Sequence, residues 1–270
     1  MNRWTACGLA ALALLIPAVH AQDLPLFTTT GSEFGVQLFG QSLDGERNGA
    51  SDLSMESRKL GLAASFTQAL GQGWYWGGDG RYAWGSTTYT SAARGRNSAN
   101  PETLVELRLT GGRDLAAGPH QVLSPYAGLG YRSIDSRLGR YTDTGYIAPS
   151  RIGNLVYLPV GVVHRLRLDR TARLSTTLEG NYLLGGTQTT RYTDIAGYVS
   201  DLNVTQKKGY GVRVGLAYET ASWSAGVFLH HWDLQESEPG TYATSTTVYT
   251  ATEARSIARE VGLQLRYRFH

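Results

Sequence analysis

Tyr210-Gly-Val-Arg-Val-Gly-Leu-Ala-Tyr-Glu219 reads as a strand with two unlike walls. Side chains alternate across an extended chain, so Tyr210, Val212, Val214, Leu216 and Tyr218 share one face. Gly211, Arg213, Gly215, Ala217 and Glu219 share the other. The apolar wall begins and ends in tyrosine, a residue suited to the boundary between hydrocarbon and headgroups. The opposite wall is small or charged.

The same period of two recurs along the chain. It predicts strands near 33–43, 57–70, 73–90, 102–115, 120–134, 152–168, 171–187, 207–219, 222–235 and 256–269. Their apolar faces include Val36 and Leu38, then Leu60, Leu62 and Phe66, then Trp74, Trp76, Tyr82 and Trp84. Leu107, Leu109, Leu129, Val160, Leu178, Leu229 and Val261 continue the series. Connections alternate in length. Gly71-Gln72, Ala116 to Pro119, Asp169-Arg170 and Thr220-Ala221 are tight turns. Asp44–Glu56, Ser91–Pro101, Asp135–Arg151, Gln188–Gln206 and Glu236–Arg255 are long. A sandwich has no reason to gather its long loops at one end, whereas a membrane barrel does. The expected fold is an all-β, ten-stranded antiparallel up-and-down transmembrane β-barrel, with short periplasmic turns, long extracellular loops and both termini in the periplasm. A closed sheet leaves no edge to pair, so a monomer is expected.

Residues 1–21 have the form of a secretory signal peptide: Arg3, an apolar run from Ala6 to Ile16, and Val19-His20-Ala21 before Gln22. That leaves 22–270 as the barrel domain, without a cysteine, because Cys7 is the only one. Disulfides, thiolate metal sites and a cysteine nucleophile are thereby excluded from it. Mean hydropathy is −0.25, which suits a barrel that spends alternate residues on its interior. The 33 glycines and 16 tyrosines fit the same picture. The net charge of +3 is spread without a basic run, so nucleic acid is not an expected partner.

The inward register holds Glu33, Lys59, Asp79, Arg81, Glu106, Arg108, Arg132, Arg165, Arg167, Arg173, Glu179, Arg213, Glu219, Glu260, Arg266 and Arg268. About eight strands enclose a bore that side chains fill, and 16 or more leave a wide channel. Ten strands lie near the filled limit. Opposed arginines and carboxylates are expected to plug the lumen; the alternative is a narrow passage that prefers anions. Gly128, Gly130, Gly211, Gly215 and Gly262 also point inward, with room for arginines as their expected purpose. Two long connections share a phrase, Arg140-Tyr-Thr-Asp-Thr-Gly-Tyr146 and Arg191-Tyr-Thr-Asp-Ile-Ala-Gly-Tyr198. It reads as a duplicated hairpin or as a pair of matched tips. Thr87-Thr-Tyr-Thr90 and Ser245-Thr-Thr-Val-Tyr-Thr250 predict strands that protrude past the bilayer.

In these features the chain resembles the small outer-membrane β-barrel proteins of Gram-negative bacteria. The end of the chain carries the most specific part of the likeness. Gly262, Leu265, Tyr267 and Phe269 look like the C-terminal signal these proteins offer to the barrel-assembly machinery, with His270 and Val261 as departures. The resemblance implies outer-membrane lipids and lipopolysaccharide as surroundings, and no cofactor. An omptin-type protease would need an Asp-x-Asp-like pair and an Asp-x-His pair facing each other at the rim. Asp79 is instead followed by Arg81, and His231-Trp232-Asp233 runs in the reverse order. A lipid A-modifying hydrolase would need a serine beside the outward His164 or His231, and His164 has none in the outward register of its own strand. His230 and His231, being adjacent, face opposite ways and make a poor metal chelate. The expected function is therefore non-enzymatic, a structural or adhesin-like surface role through the Tyr/Thr-rich loops, with no catalytic or metal residues assigned.

Overall fold

The computed structural model describes residues 24–47 and 50–269. The leader read at 1–21 and the terminal His270 lie outside them. Among the described residues the strands are β1 (Gly31–Arg47), β2 (Ala50–Gly71), β3 (Trp74–Ser91), β4 (Gly95–Arg113), β5 (Leu115–Gly118), β6 (Gln121–Ser136), β7 (Ser150–Arg167), β8 (Ala172–Arg191), β9 (Leu202–Gln206), β10 (Gly209–Thr220), β11 (Trp223–Leu234), β12 (Gly240–Ala243), β13 (Val248–Ala251) and β14 (Arg255–Phe269). The short β5 continues β4 past Asp114, and β9 precedes β10 on the same edge of β8. Ten antiparallel spans result, in the order β1-β2-β3-β4-β6-β7-β8-β10-β11-β14. The ring closes where β14 pairs with β1, from Ser32 opposite Phe269 to Glu46 opposite Arg255.

Closure sorts the two walls of every strand. Leu38, Leu109 and Val261 are 61%, 56% and 60% exposed on the outside, while Lys59, Arg132 and Glu260 inside are 1%, 2% and 1% exposed. A soluble protein would be inside out with such values. The outer aromatics form two rings. Phe66, Trp74, Trp76, Tyr218, Trp223, Tyr267 and Phe269 cluster near the short turns. The second ring holds Trp84, Tyr131, Tyr182 and Tyr210. Each of these lies ten residues from the short-turn end of its strand, at Trp74, Gln121, Ala172 and Thr220 respectively. Ten residues at about 3.3 Å, tilted by about 40°, rise roughly 25 Å, the height of the apolar band of a membrane barrel.

Three of the short turns come where expected, while the one placed at Ala116 to Pro119 is shifted to Pro119-His120 because Leu115–Gly118 is paired as β5. At the β2–β3 turn, Gly71, Gln72 and Gly73 have φ of 91°, 51° and 80°, a left-handed run that glycine tolerates. A Cβ on Gly73 would also lie 2.6 Å from the Asp114 carbonyl.

Two of the long connections are more regular than their placement as loops implied, in keeping with the protruding strands that Thr87–Thr90 predicts. Asp44–Glu56 and Ser91–Pro101 are largely legs of paired hairpins, with Asp44 opposite Ser54 and Tyr89 opposite Asn97. Beyond the bilayer a ladder no longer needs an apolar face, so the alternation used to find strands fades while the pairing goes on. The segment 137–149 is irregular and folds inward, burying Leu138 and Ala148 completely against Leu53, Met55 and Tyr89.

The N-terminal residues Leu24–Thr30 were not expected to contribute, yet they cross the bore at its short-turn end. The Leu24 N–H donates to the Arg170 carbonyl at 2.7 Å, Arg173 donates to the Pro25 carbonyl, and Thr28 Oγ1 donates to Asp114 at 3.0 Å. Arg170 and β1 lie on opposite sides of the ring, so this strap spans its full width.

Leu178 lies about midway between Ala172 and the girdle residue Tyr182, facing outward. Leu178→Arg should destabilise the barrel in lipid by about 2–4 kcal/mol, the cost of arginine at the bilayer midplane. Urea unfolding in phospholipid vesicles reads this directly, and an unshifted midpoint would mean that this wall does not meet acyl chains.

Candidate functional site

Of the charged residues assigned to the inner register, Lys59, Arg81, Glu106, Arg132, Arg173, Glu179 and Glu260 are buried. What the spacing could not give is how they pair. Glu106 on β4 accepts from Arg81 of β3 at 2.6 Å, from Arg213 of β10 at 3.0 Å and from the Tyr157 hydroxyl of β7 at 2.6 Å. Glu260 on β14 accepts from Arg81 at 2.9 Å and from Arg132 of β6, and lies 3.2 Å from His230 Nδ1 of β11. Two carboxylates thus join strands from opposite sides of the ring. Glu179 on β8 extends the mesh, accepting from Arg108 at 2.6 Å and from the Tyr126 hydroxyl at 2.7 Å, while Arg108 also donates to Asp79 at 3.0 Å.

Each of these contacts answers a cost. A charge confined at this depth carries a desolvation penalty of several kcal/mol unless it is paired and hydrogen-bonded. Glu106, Glu179 and Glu260 are all 2% exposed or less, and each meets at least one arginine and one neutral donor or imidazole. Aromatic rings fill the gaps between the ions. Phe39 and Phe228 pack edge to face at 5.8 Å, with Lys59 and Arg81 each 5.6 Å above Phe39. Tyr157 packs against Trp232 at 5.0 Å.

Here Gly130, Gly211 and Gly262 depart from expectation. A Cβ at Gly130 would strike the Tyr157 ring at 2.2 Å, at Gly211 the Trp232 ring at 2.9 Å, and at Gly262 the Phe39 Cβ at 2.4 Å. They make room for rings, not for arginines lying across the bore.

The result is a layer of paired ions and rings between two cavities, here called the septum. Above it, toward the long loops, lies a cavity of about 140 Å³ floored by Arg132 and Leu155. Below it, toward the termini, lies one of about 330 Å³ bounded by Arg81, Arg108, Arg213 and His230. No residue lines both. The lower chamber ends at a second charged layer, where Arg268 bonds Glu33 at 2.8 Å and Glu219 at 3.1 Å, and Arg173 bonds Glu219 at 2.7 Å. Arg165 holds Asp114 at 3.2 Å, and Arg266 lies 3.6 Å from Glu33. Arg167 faces inward opposite Arg173, and its Nε has no hydrogen-bond partner.

Reading the sequence overlooked several members. Glu102 pairs with Lys59 and accepts from Ser57 at 2.9 Å and Ser136 at 2.7 Å. Asp114 anchors the strap and Arg165. Both share the parity of Glu106 and Arg108, which was the available signal. Glu253 holds Arg151 at 3.2 Å in the upper bore.

The three histidines singled out earlier have separate surroundings. His230 is buried in the septum. His231 faces outward, its ring 6.3 Å from that of Tyr210, and the neighbouring Asp233 is bonded to Arg255 at 2.5 Å. His164 faces outward, 3.2 Å from Gln121. Among the described residues no three His, Asp or Glu side chains gather as a metal shell requires.

The repeated loop phrase adopts two conformations. Tyr141 bridges to Ile147 in the first copy, while Tyr192–Asp194 forms a 3₁₀ turn in the second. The second copy is held by the chain that follows the first, since the Ser150 N–H donates to Asp194 at 3.0 Å. In the second copy, Tyr192 stacks on Tyr242 at 4.2 Å and on Tyr198 at 5.2 Å, and Tyr242 stacks on Tyr249 at 5.2 Å. Ring stacking therefore ties this loop to the β12–β13 hairpin.

Among solved structures, the chain is similar to the outer membrane protease OmpT from Escherichia coli. The match covers 93% of this chain and 100% of that one, at 12% identity and a TM-score of 0.61. This chain has the fold of the outer-membrane β-barrels. Weaker likenesses include the transport unit of the autotransporter AIDA-I from Escherichia coli, at 11% identity, 96% and 94% coverage and a TM-score of 0.48. The toluene transporter TodX of Pseudomonas putida follows, at 11% identity, 89% coverage of both chains and a TM-score of 0.41. No protein-family model and no curated protein sequence matches the chain.

Replacing Glu260 by alanine takes from Arg132 its carboxylate and from Arg81 one of its two, while leaving the outer wall intact. The barrel should lose about 3–5 kcal/mol, the cost of breaking a buried ion pair by removing one partner. Glu260→Gln should recover part of this loss through its retained acceptor. A urea titration of the three proteins in the same vesicles measures both effects.

Proposed function

We propose that this protein is an outer-membrane barrel whose lumen is shut and whose work is done at the long-loop surface, as a structural or surface-interaction protein. The observation that supports this reading is the septum. Its ions span the ring, and the aromatic rings between them occupy the space a solute would need. The strap at the short-turn end adds a second barrier. The long loops present exposed apolar and aromatic groups, among them Tyr141 and Val248 at 71% exposure each, on frames held by hairpin pairing and tyrosine stacking. In this reading the long loops face outward from the cell and the termini lie in the periplasm.

In planar bilayers the purified protein should give no steps above background. Removing both members of one pair, as Arg132→Ala with Glu260→Ala, opens the septum without leaving Arg132 unpaired, and this variant should conduct. Steps from the unmodified protein that favour anions would overturn the closed lumen in favour of a narrow anion channel.

Orientation has its own test, because the sequence holds only Cys7. On intact cells a membrane-impermeant maleimide should label Ser245→Cys, in the β12–β13 turn, and leave His120→Cys, in the β5–β6 turn, untouched. The reverse pattern would turn the barrel over.

A further inference from the structure

The barrel's own sheet has no edge, but the β12–β13 hairpin that stands off it has one. β12 is backed by the chain before and within β9. The Val199 N–H donates to the Ala243 carbonyl at 2.8 Å, the Ala243 N–H donates to Ser200 Oγ at 2.9 Å, and Gly240 sits so close to the Asn203 carbonyl that a Cβ would collide with it. β13 pairs with β12 and, among the described residues, with no other strand. Its far side is open, and Val248 and Tyr249 are exposed there.

Open edges are ordinarily guarded by lysine, proline or a bulge. This one is not. Thr244-Ser-Thr-Thr-Val-Tyr-Thr-Ala-Thr252 carries no charge, proline or glycine, is rich in strand formers, and pairs with β12 without a bulge. A lone two-stranded hairpin is also the weakest form of sheet and gains from every strand added. The side chains say which strand fits. Tyr249 lies opposite Tyr242 and stacks on it at 5.2 Å, and Tyr242 stacks on Tyr192 at 4.2 Å. A row of rings therefore crosses the hairpin and stops at the open edge. A strand that continues the row needs an aromatic ring in register and no charge to either side. A second β13, antiparallel about a two-fold axis, supplies both. Tyr249 then meets the second copy's Tyr249, and Val248 meets its Thr250.

We propose that β13 docks edge to edge with β13 of a second copy of this chain, joining the two hairpins into one four-stranded antiparallel sheet. Cross-strand pairs of aromatic and β-branched residues hold such a seam together. Because β12 is already covered, each copy offers one edge and the assembly closes at two. The monomer expected from a closed sheet thus describes the ring in the membrane and not the loops above it. The proposal names a partner for the surface role given above, and rests on that reading only for the display of the hairpin outside the cell.

Val248 and Thr250 share the face opposite to that of Tyr249, so both can be replaced with the row of rings left in place. Energy transfer between donor-labelled and acceptor-labelled barrels, each alone in a lipid nanodisc, reads the association. The unchanged protein should associate as its concentration rises. Val248→Lys with Thr250→Lys sets lysine opposite lysine and should weaken association about tenfold, and Val248→Glu with Thr250→Glu should do the same. Mixing the lysine protein with the glutamate protein should restore it, which also shows that both hairpins still fold. No transfer by the unchanged protein at the highest disc concentration, undiminished transfer by the lysine protein, or no recovery in the mixture overturns the proposal. Binding of a Thr-Val repeat peptide while the copies stay apart overturns it in favour of a foreign strand. The maleimide labelling of Ser245→Cys keeps the two readings distinct. Association by a barrel whose hairpin faces the periplasm leaves the seam standing and removes the surface role. A correctly oriented barrel that stays single does the opposite.

Discussion

In hydrocarbon an unpaired peptide group has no water to turn to, so a sheet that crosses a membrane has to use every donor and acceptor within itself. The ladder between β1 and β14 meets that demand, running from Ser32 opposite Phe269 to Glu46 opposite Arg255. Closure also assigns the two faces of each strand, since one must meet lipid and the other must meet the opposite side of the ring. The apolar band, the aromatic girdles and the ionic interior follow from that one ring of hydrogen bonds.

Ten strands make a bore too narrow to leave charges individually solvated. The chain responds with a graded interior. Near the termini Arg173, Arg268, Glu33 and Glu219 form one layer. In the middle Glu106, Glu179 and Glu260 gather arginines from across the ring around a set of aromatic rings. Toward the long loops leucines, Met55 and Ile134 join Ser136, Gln188, Gln206 and the Arg151–Glu253 pair in the lining. A uniform porin-like wall would show no such sequence of layers. The polarity changes along the axis because each layer has a different neighbour to satisfy: the strap, the opposing strands, or the segment 137–149 folded over the mouth.

Much of this was legible beforehand. Period-two alternation located all ten spans, because parity is a local property of a strand. Glu102 and Asp114 had the same parity and were overlooked near the strand's ends, where alternation is hardest to trust. Partnerships were not legible. Register gives the neighbour on the next strand, such as Asp79 opposite Arg108, whereas Arg132 and Glu260 meet across open space that only the closed ring defines. The glycines illustrate the same limit. Their inward direction follows from parity, but that Gly130 faces Tyr157 depends on neighbouring strands lying side by side. The strap has no period at all, so Leu24–Thr30 reads as a linker until the ring gives it something to cross.

That strap has a mechanical consequence. Because it is tied to Arg170 and Asp114 before the chain enters β1, a pull on the residues preceding Leu24 meets those anchors first. The load reaches the β7–β8 turn and the foot of β4 before it can peel β1 from β14. The seam that closes the cylinder is thereby shielded from tension by a tether fastened on the far side.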